Sequence, residues 1–551
     1  MSPEVFWTEK GREKVFGRDH LGLQSVSSNE IFALLSPSIN ALTFHPRYQS
    51  FYTFLLHEFW TRDLPQTHRS WVDFFRPRDF FYSLAMQMCD RDEHAEMGSI
   101  VGTDGTRPLA RNEPGPYSYR EDYIKTSLSG YGLYYRSTVA GLGLMAPAGT
   151  RPGLKVDYPS EDTGRELAVA FREAVAGTMY FREYFDHPDA EVPRDVLVEF
   201  ARSACLCQLC KEESPDREPL LRAYLTGGWA PEATARTQSI RLFLDLGEQT
   251  DGKPVGWMDY RQLLYYGTSD SGAAFLPRPG LEDWARRWRW FQAREYYVWA
   301  LESLWVHLCG WGLDVGGDVS PVGMAAIWQH LDEALDFDGL AGKLELPETH
   351  LGAESSLDDL LAWEREMAGA AGGGFDAECR LDSALNEHRI YALAAAGDRG
   401  PAVMVAGALA MLGLLILRFD VREARLRDDW AMAEMGGRTR LSIARFFADI
   451  DRLRGQGPVT LSSLAHWLVQ RYVIHQHLLV ASGKLPDNTF RFEPAGDGLR
   501  FRRFGDDIGL RDSRFGALGG HVQELGLCGR LTDPDHPLTD DGRRLLVDGE
   551  L

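Results

Sequence analysis

Three cysteines, Cys205, Cys207 and Cys210, are close enough in sequence to consider a metal site. Thiolates are good zinc ligands, and a fourth ligand from elsewhere would complete a tetrahedral set. However, residues 196 to 211 have the pattern of one continuous helix, on which Cys205 would point about 200° away from Cys207. No second Cys-x-x-Cys pair follows along the chain. The sequence therefore predicts small buried cysteines on a helix, and no bound metal or other cofactor.

A second group of potential metal ligands alternates along the chain at Asp90, Asp92, His94 and Glu96. In an extended segment these side chains would face one side, and carboxylate and imidazole groups suit a divalent cation. The segment lacks the glycine and the later glutamate of a calcium loop, so the pattern favours a solvated loop. A metal-dependent hydrolase or nuclease built on these four residues is the enzymatic alternative. Since no other segment has a stronger enzyme motif, we lean towards a protein that is not an enzyme.

The elements that would position functional groups are indicated by a pattern that occurs twice. Residues 142–144 and 525–527 both read Leu-Gly-Leu, and Gly-Arg-x-Leu follows each of them, at 164–167 and 542–545. The first leucine of each Leu-Gly-Leu completes an apolar i, i+4, i+7 spacing, which is one helix face: Tyr135, Val139 and Leu142, and Leu518, Val522 and Leu525. The pattern predicts a helix that breaks at a glycine, a short β segment and a new helix.

This order of helix, short hairpin and helix resembles the winged-helix superfamily, in two copies. The resemblance implies that the second helix of each copy lies in the major groove of DNA and that wing residues contact phosphates. The first copy offers Arg136 on its helix and Arg151 and Lys155 in its wing. The helix of the second copy would carry Arg511, Arg514, His521 and Gln523, and a neighbouring predicted β-hairpin would add Arg500, Arg502 and Arg503. We expect the second copy to be the better DNA contact, because tyrosines dominate the helix of the first.

At 551 residues the chain is too long for one core. We expect a mainly α, multi-domain protein with a helical body and two α+β winged-helix-like modules. The expected segments are an N-terminal helical domain at 1–113, the first module at 114–176 and a second helical domain at 177–395. A buried helix and an arginine-rich helical segment would follow at 396–455, and a C-terminal winged-helix-like domain with the hairpin at 456–551.

The charge and the hydropathy restrict partners and location. A net charge of −21 repels phosphate at long range, so any DNA contact must be local. Residues 401–417 are uncharged, but a membrane span needs roughly 20 such residues, so we expect a buried core helix and no membrane contact. Seven cysteines without disulfide spacing and a polar N-terminus indicate the cytoplasm. Arginine supplies most of the 59 basic residues, which is typical of GC-rich bacteria.

Together these features predict a non-enzymatic, DNA-associated or scaffold subunit of a larger bacterial assembly. Genome-maintenance and anti-phage defence systems are organised in this way, which makes the assignment an analogy. The expected partners are other protein subunits and double-stranded DNA. A pure protein-docking module is the alternative that fits the acidic charge best.

Overall fold

The computed structural model describes residues 19–550, except for 93, 95–97, 99, 370–379, 420–440 and 503–507. Over these residues the protein is mainly helical with a few short strands, which confirms the expected fold class at that level.

The chain forms two compact units, and each is built from three stretches of sequence. Unit 1 contains residues 1–32, 261–274 and 285–511, and unit 2 contains residues 33–260, 275–284 and 512–551. The boundaries of these two units differ from those of the five consecutive segments expected from the sequence. In particular, the expected C-terminal domain at 456–551 is divided between the units after Arg511.

Unit 1 is a helical body with one small sheet. Its helices are Gln24–Val26, Ser27–Ile31, Met324–Glu333, Phe337–Lys343, Leu357–Met367, Glu387–Ala395, Ala402–Ala406, Gly407–Arg418, Ile443–Gly455, Leu461–Leu468, Val469–Ile474 and His475–Gly483. Several of them begin at a Ser, Thr or Asn whose side-chain oxygen accepts a hydrogen bond from a backbone N–H of the first turn, as Ser356, Asn386, Ser442 and Thr460 do.

The predicted hairpin is confirmed in unit 1. Its strands are Phe492–Ala495 and Gly498–Phe501. Val322–Gly323 pairs with the other edge of the second strand, and both pairings are antiparallel.

The uncharged segment after Pro401 is a buried helix, as expected. A π-helical turn at Ala402–Ala406 continues into Gly407–Arg418, and the side chains from Ala402 to Ile416 are buried. No helix in the described ranges is long and apolar enough to cross a membrane. Most of the predicted arginine-rich segment, 420–440, lies outside the described residues.

Unit 2 is held together by aromatic side chains on its first long helices. Its helices are Arg47–Trp60, His68–Met86, Thr103–Asn112, Glu121–Tyr123, Tyr131–Tyr135, Arg136–Gly141, Thr163–Val175, Tyr180–Tyr184, Arg194–Ala204, Leu206–Gln208, Arg217–Thr226, Ala230–Gln249, Phe515–Glu524 and Asp540–Asp548. Phe51 stacks on Tyr82 with ring centroids 3.7 Å apart. Three further helices, Phe32–Leu35, Trp257–Tyr266 and Glu282–Gly316, have residues assigned to both units.

The repeated sequence pattern has a repeated local structure, in segments that we call module N (residues 131–175) and module C (residues 515–548). In module N the helix ends at Gly141, the strands Met145–Ala146 and Tyr158–Pro159 pair, and the helix Thr163–Val175 follows. In module C the helix Phe515–Glu524 is followed by a single bridge between Cys528 and Leu538 and then by the helix Asp540–Asp548.

The glycine of each Leu-Gly-Leu ends a helix in the same way. Gly143 and Gly526 have φ of +70° and +72°, which favours glycine. The next residue then donates its N–H back into the last turn, from Leu144 to Val139 at 3.1 Å and from Leu527 to Val522 at 2.9 Å. The predicted order of helix, paired β segments and helix is present in module N, whereas module C has a single bridge between its two helices. Membership of the winged-helix superfamily stays a prediction.

Candidate functional site

The helix that carries the cysteines ends before them, so the predicted continuous helix from 196 to 211 is wrong. Arg194–Ala204 is followed by extended backbone at Cys205, with φ −63° and ψ 146°, and by a 3-10 turn at Leu206–Gln208. The physical reason lies elsewhere in unit 2. Arg47 donates hydrogen bonds to the carbonyl oxygens of Ser203 and Cys205, and Tyr82 donates one to that of Ala204 at 3.0 Å.

This break turns two cysteines towards a loop that follows the helix His68–Met86. The sulfur atoms of Cys89, Cys205 and Cys207 and a ring nitrogen of His94 all lie within 4.8 Å of one another. Nδ1 of His94 is 3.0 Å from Sγ of Cys205, and Sγ of Cys89 is 3.8 Å from Sγ of Cys207. We call these four residues the Cys3His cluster.

The third cysteine of the sequence motif is not part of the cluster. Cys210 is exposed, and its Sγ lies 3.5 Å from the carbonyl oxygen of Cys207. Its place is taken by Cys89, which sequence reasoning missed because it is far from the motif along the chain.

The Cys3His cluster is a polar site with a buried side and an accessible side. Cys205 and Cys207 are buried, whereas Cys89 and His94 are partly exposed. Hydrogen bonds from Cys205 and Cys207 lower the pKa of Cys89 to about 3, and burial raises the pKa of Cys205 well above its usual range.

The donor set and its spacing fit a tetrahedral metal. With zinc–sulfur bonds of about 2.3 Å, two thiolates at adjacent corners of a tetrahedron lie about 3.8 Å apart. That is the Cys89–Cys207 separation. Three thiolates and one imidazole are a common set for structural zinc, and they leave no coordination position open for water or substrate. Nε2 of Gln208 also lies 3.0 Å from Sγ of Cys207, as a partner that would orient this ligand.

The predicted loop site at Asp90, Asp92, His94 and Glu96 is divided in the structure. His94 faces Cys205, while Asp90 forms an ion pair with Arg202 at 2.7 Å and Asp92 is exposed. Glu96 lies outside the described residues. One residue from this group and two from the cysteine motif thus belong to a single cluster that neither pattern indicated alone.

The predicted DNA contacts of module C are placed differently from what the sequence indicated. The helix begins at Phe515, so Arg511 and Arg514 precede it instead of lying on it. Arg514 is 7% exposed and its guanidinium lies 3.4 Å from Asp512, whereas the backbone N–H of Arg511 donates to Glu295. His521 is fully buried, and the side-chain oxygen of Gln523 accepts a hydrogen bond from Arg530 at 2.7 Å.

The predicted DNA contacts of module N include exposed cations. Arg151 and Lys155 are exposed in the loop that joins the two short strands. Arg136 is different, because two of its nitrogens each lie 2.7 Å from the carboxylate of Asp157.

The hairpin cations belong to unit 1. Arg500 is exposed, and Arg502 is also exposed but makes a two-pronged ion pair with Glu493 at 2.8 and 2.9 Å. Arg503 lies outside the described residues.

Comparisons with known proteins add no assignment: no protein-family model, no curated protein and no solved structure matches the chain.

Proposed function

We propose that this protein is a non-enzymatic scaffold subunit of a larger assembly, in which a structural metal centre stabilises unit 2. The observation that supports the proposal is the Cys3His cluster. Cys89, His94, Cys205 and Cys207 supply four ligands of the types that zinc prefers, and their donor atoms lie within 4.8 Å of one another. Because the protein fills every position of a tetrahedral ion, such a centre would serve folding and not catalysis.

The centre would join two irregular segments that are distant in sequence. One is the loop after the helix His68–Met86, and the other is the turn after the helix Arg194–Ala204. The free energy of metal binding becomes free energy of folding when the ligands come together only in the folded chain. Metal loss is therefore expected to destabilise unit 2.

Elemental analysis of the purified full-length protein tests the centre. We expect about one zinc per chain in the wild type, since the cluster has one set of ligands. Cys207→Ser removes a buried ligand and should lose the metal together with thermal stability. Cys210→Ser is the matched control, because this exposed cysteine of the same segment is outside the cluster.

Two results would contradict the proposal. One is wild-type protein that contains no metal and whose Tm is unchanged by zinc or by a chelator. The other is Cys207→Ser that retains as much zinc as Cys210→Ser. A disulfide between Cys89 and Cys207, detected by mass spectrometry under non-reducing conditions, would also contradict the proposal, because these two sulfur atoms would then be covalently linked instead of binding a metal.

A DNA-associated role is the second candidate, and one observation now favours module N for it. Arg151 and Lys155 are exposed cations in a loop, the position that suits phosphate contacts. In module C, by contrast, Arg514 and His521 are buried. We therefore propose module N as the DNA contact, although the sequence favours module C.

The remaining alternatives have less support. A hydrolase on the acidic loop would need Asp90 and His94 to share a metal, but their side chains contact Arg202 and Cys205 respectively. A pure docking module agrees with the net charge of −21 and is the outcome that remains if neither DNA nor metal binds.

A further inference from the structure

The four ligands of the Cys3His cluster are not equally enclosed. Cys205 and Cys207 are buried in the turn after the helix Arg194–Ala204, whereas Cys89 and His94 are partly exposed. A small solute that approaches the cluster therefore meets Cys89 and His94 first. Of these two side chains, the thiol of Cys89 is the one that oxidants attack readily.

A bound zinc ion would hold Cys89 in the form that reacts. Cysteine binds zinc as the thiolate, because the ligand must lose its proton. The thiolate, not the thiol, is also the form that acts as a nucleophile. The metal proposed for this cluster would therefore keep a partly exposed thiolate at Cys89, on the side that solvent reaches.

A second cysteine lies next to Cys89 and can complete a disulfide. Sγ of Cys89 is 3.8 Å from Sγ of Cys207, and a disulfide bond is about 2.0 Å long, so an approach of about 1.8 Å joins the two atoms. Cys205 is less suited to this step, because its Sγ lies 3.0 Å from Nδ1 of His94. An accessible thiolate beside a second, resolving cysteine is the arrangement of cysteines that sense oxidants.

We propose that the Cys3His cluster is a peroxide-sensitive switch, in which oxidation joins Cys89 to Cys207 and releases the zinc. This inference rests on the metal centre proposed above and adds its regulation. Hydrogen peroxide is the oxidant. The two sulfur atoms together lose the two electrons that reduce it.

The reaction has two steps. The thiolate of Cys89 attacks one oxygen of hydrogen peroxide, the O–O bond breaks and hydroxide leaves, which produces a sulfenic acid at Cys89. The thiolate of Cys207 then attacks this sulfur, the S–O bond breaks and a second hydroxide leaves. Zinc stays divalent throughout. It is released because His94 and Cys205 alone do not form a closed tetrahedral set.

The oxidised protein keeps a link between the two segments that the metal joins. Cys89 and Cys207 are 118 positions apart in sequence, and a cross-link that closes a long loop restricts the unfolded chain strongly. The switch therefore exchanges a metal link for a covalent one and does not unfold unit 2. The local change is at His94 and Cys205, which lose the ion that they share with the other two ligands.

Zinc release and disulfide mapping on the full-length protein test the switch. Protein isolated with a reductant is freed from it, assayed for zinc, and treated with hydrogen peroxide beside a dye that reports free zinc. We expect about one zinc released for each Cys89–Cys207 disulfide found by peptide mass mapping, and a reductant with added zinc should restore the starting form. The oxidised protein should also have a higher Tm than reduced protein from which a chelator has removed the zinc.

Two variants make the test specific. Cys89→His replaces the partly exposed thiolate with another zinc ligand, and two cysteines with two histidines are also a common zinc set. This variant should keep its zinc and release it at least about tenfold more slowly, because Cys205 and Cys207 are enclosed. Cys210→Ser is the matched control and should behave as the wild type does, since Cys210 is outside the cluster. The disulfide map of the wild type keeps the test decisive if Cys89→His binds no zinc.

Three outcomes overturn the switch while the metal centre stands. The first is zinc-loaded wild type that keeps its zinc at peroxide concentrations that oxidise the exposed Cys210. The second is zinc release without a Cys89–Cys207 disulfide. The third is zinc-loaded Cys89→His that releases zinc as fast as the wild type does. Protein isolated without zinc overturns both proposals, and the zinc assay before the peroxide step separates this case from the other three.

Discussion

At the scale of single residues, His521 was predicted to contact DNA, but the structure buries its side chain. Its imidazole could read a base edge if it were exposed, but the side chain is fully buried and Nδ1 lies 2.7 Å from the carbonyl oxygen of Ala517. A carbonyl only accepts, so Nδ1 carries the proton, and none of the described residues donates to Nε2. Burial lowers the pKa of His521 to about 4.

This pKa predicts a loss of stability in acid. The unfolded chain binds the proton near pH 6.5 and the folded protein only near pH 4, so the contribution of His521 is complete above pH 6.5 and is lost as the pH falls towards 4. At pH 5 the loss is about 2 kcal/mol. His521→Gln should therefore show a smaller fall in Tm between pH 7 and pH 5 than the wild type.

The matched control for this prediction is His68→Gln, because His68 is exposed at the start of a helix. The control should retain the fall in Tm of the wild type over the same pH range. If His521→Gln loses as much stability in acid as the wild type does, proton uptake by His521 is not the cause.

At the scale of elements, the sequence predicts a helix end well when the residue that ends the helix lies at that point in the sequence. Each Leu-Gly-Leu ends a helix because the glycine itself adopts positive φ. The end of the helix at Ala204 has no such local signal. It depends on hydrogen bonds from Arg47 and Tyr82, which are distant in sequence, and the continuous apolar pattern hides it. The Cys3His cluster was missed for the same reason.

Each module has a second glycine, Gly164 or Gly542, at a position where the neighbouring backbone leaves no space for a side chain. A side chain at Gly164 would meet the carbonyl oxygen of Leu144 at 2.1 Å, and one at Gly542 would meet that of Leu527 at 2.0 Å. Both oxygens are fixed by hydrogen bonds from the next segment, at Ser160 and Thr539. Replacing either glycine by alanine should therefore lower the free energy of unfolding by about 1–3 kcal/mol.

Gly177→Ala is the matched control, because, chain neighbours apart, no atom of the described residues lies within 4 Å of an added side chain there. Denaturant unfolding followed by circular dichroism measures all three variants. Gly164→Ala and Gly542→Ala should shift the midpoint to lower denaturant, and Gly177→Ala should not. Unchanged midpoints for both module variants would mean that the second helices do not approach the carbonyl oxygens of Leu144 and Leu527 as closely as described.

At the scale of the whole molecule, the assignment of the C-terminal residues to a unit depends on contacts between residues that are distant in sequence. Residues 512–551 belong to unit 2 although more than 200 residues of unit 1 separate them from most of that unit. The contacts that place them are His45 with Glu524 and Arg217 with Asp541, at 2.6 and 2.8 Å. Each pair consists of residues that look like ordinary surface charges in the sequence. Segment composition therefore indicates domain ends poorly in this chain.

The net charge of the whole chain limits the affinity of any DNA contact and affects its dependence on salt. The net charge of −21 opposes long-range attraction, so binding by the full-length protein should be weak and should fall steeply with salt. The contact must then come from local, exposed cations. Module N has Arg151 and Lys155 in its loop, while the hairpin in unit 1 has Arg500 and Arg502.

A titration of duplex DNA at several salt concentrations compares these two candidates. If module N is the contact, Arg151→Ala with Lys155→Ala should weaken binding and lower the salt slope by about two, about one for each lost phosphate contact. Arg500→Ala with Arg502→Ala removes the same charge from the hairpin and should leave most of the slope intact. A larger effect of the hairpin variant would assign the contact to unit 1. Equal effects of both variants would mean that net charge alone governs a non-specific interaction, and absence of binding at low salt would favour the protein-docking alternative.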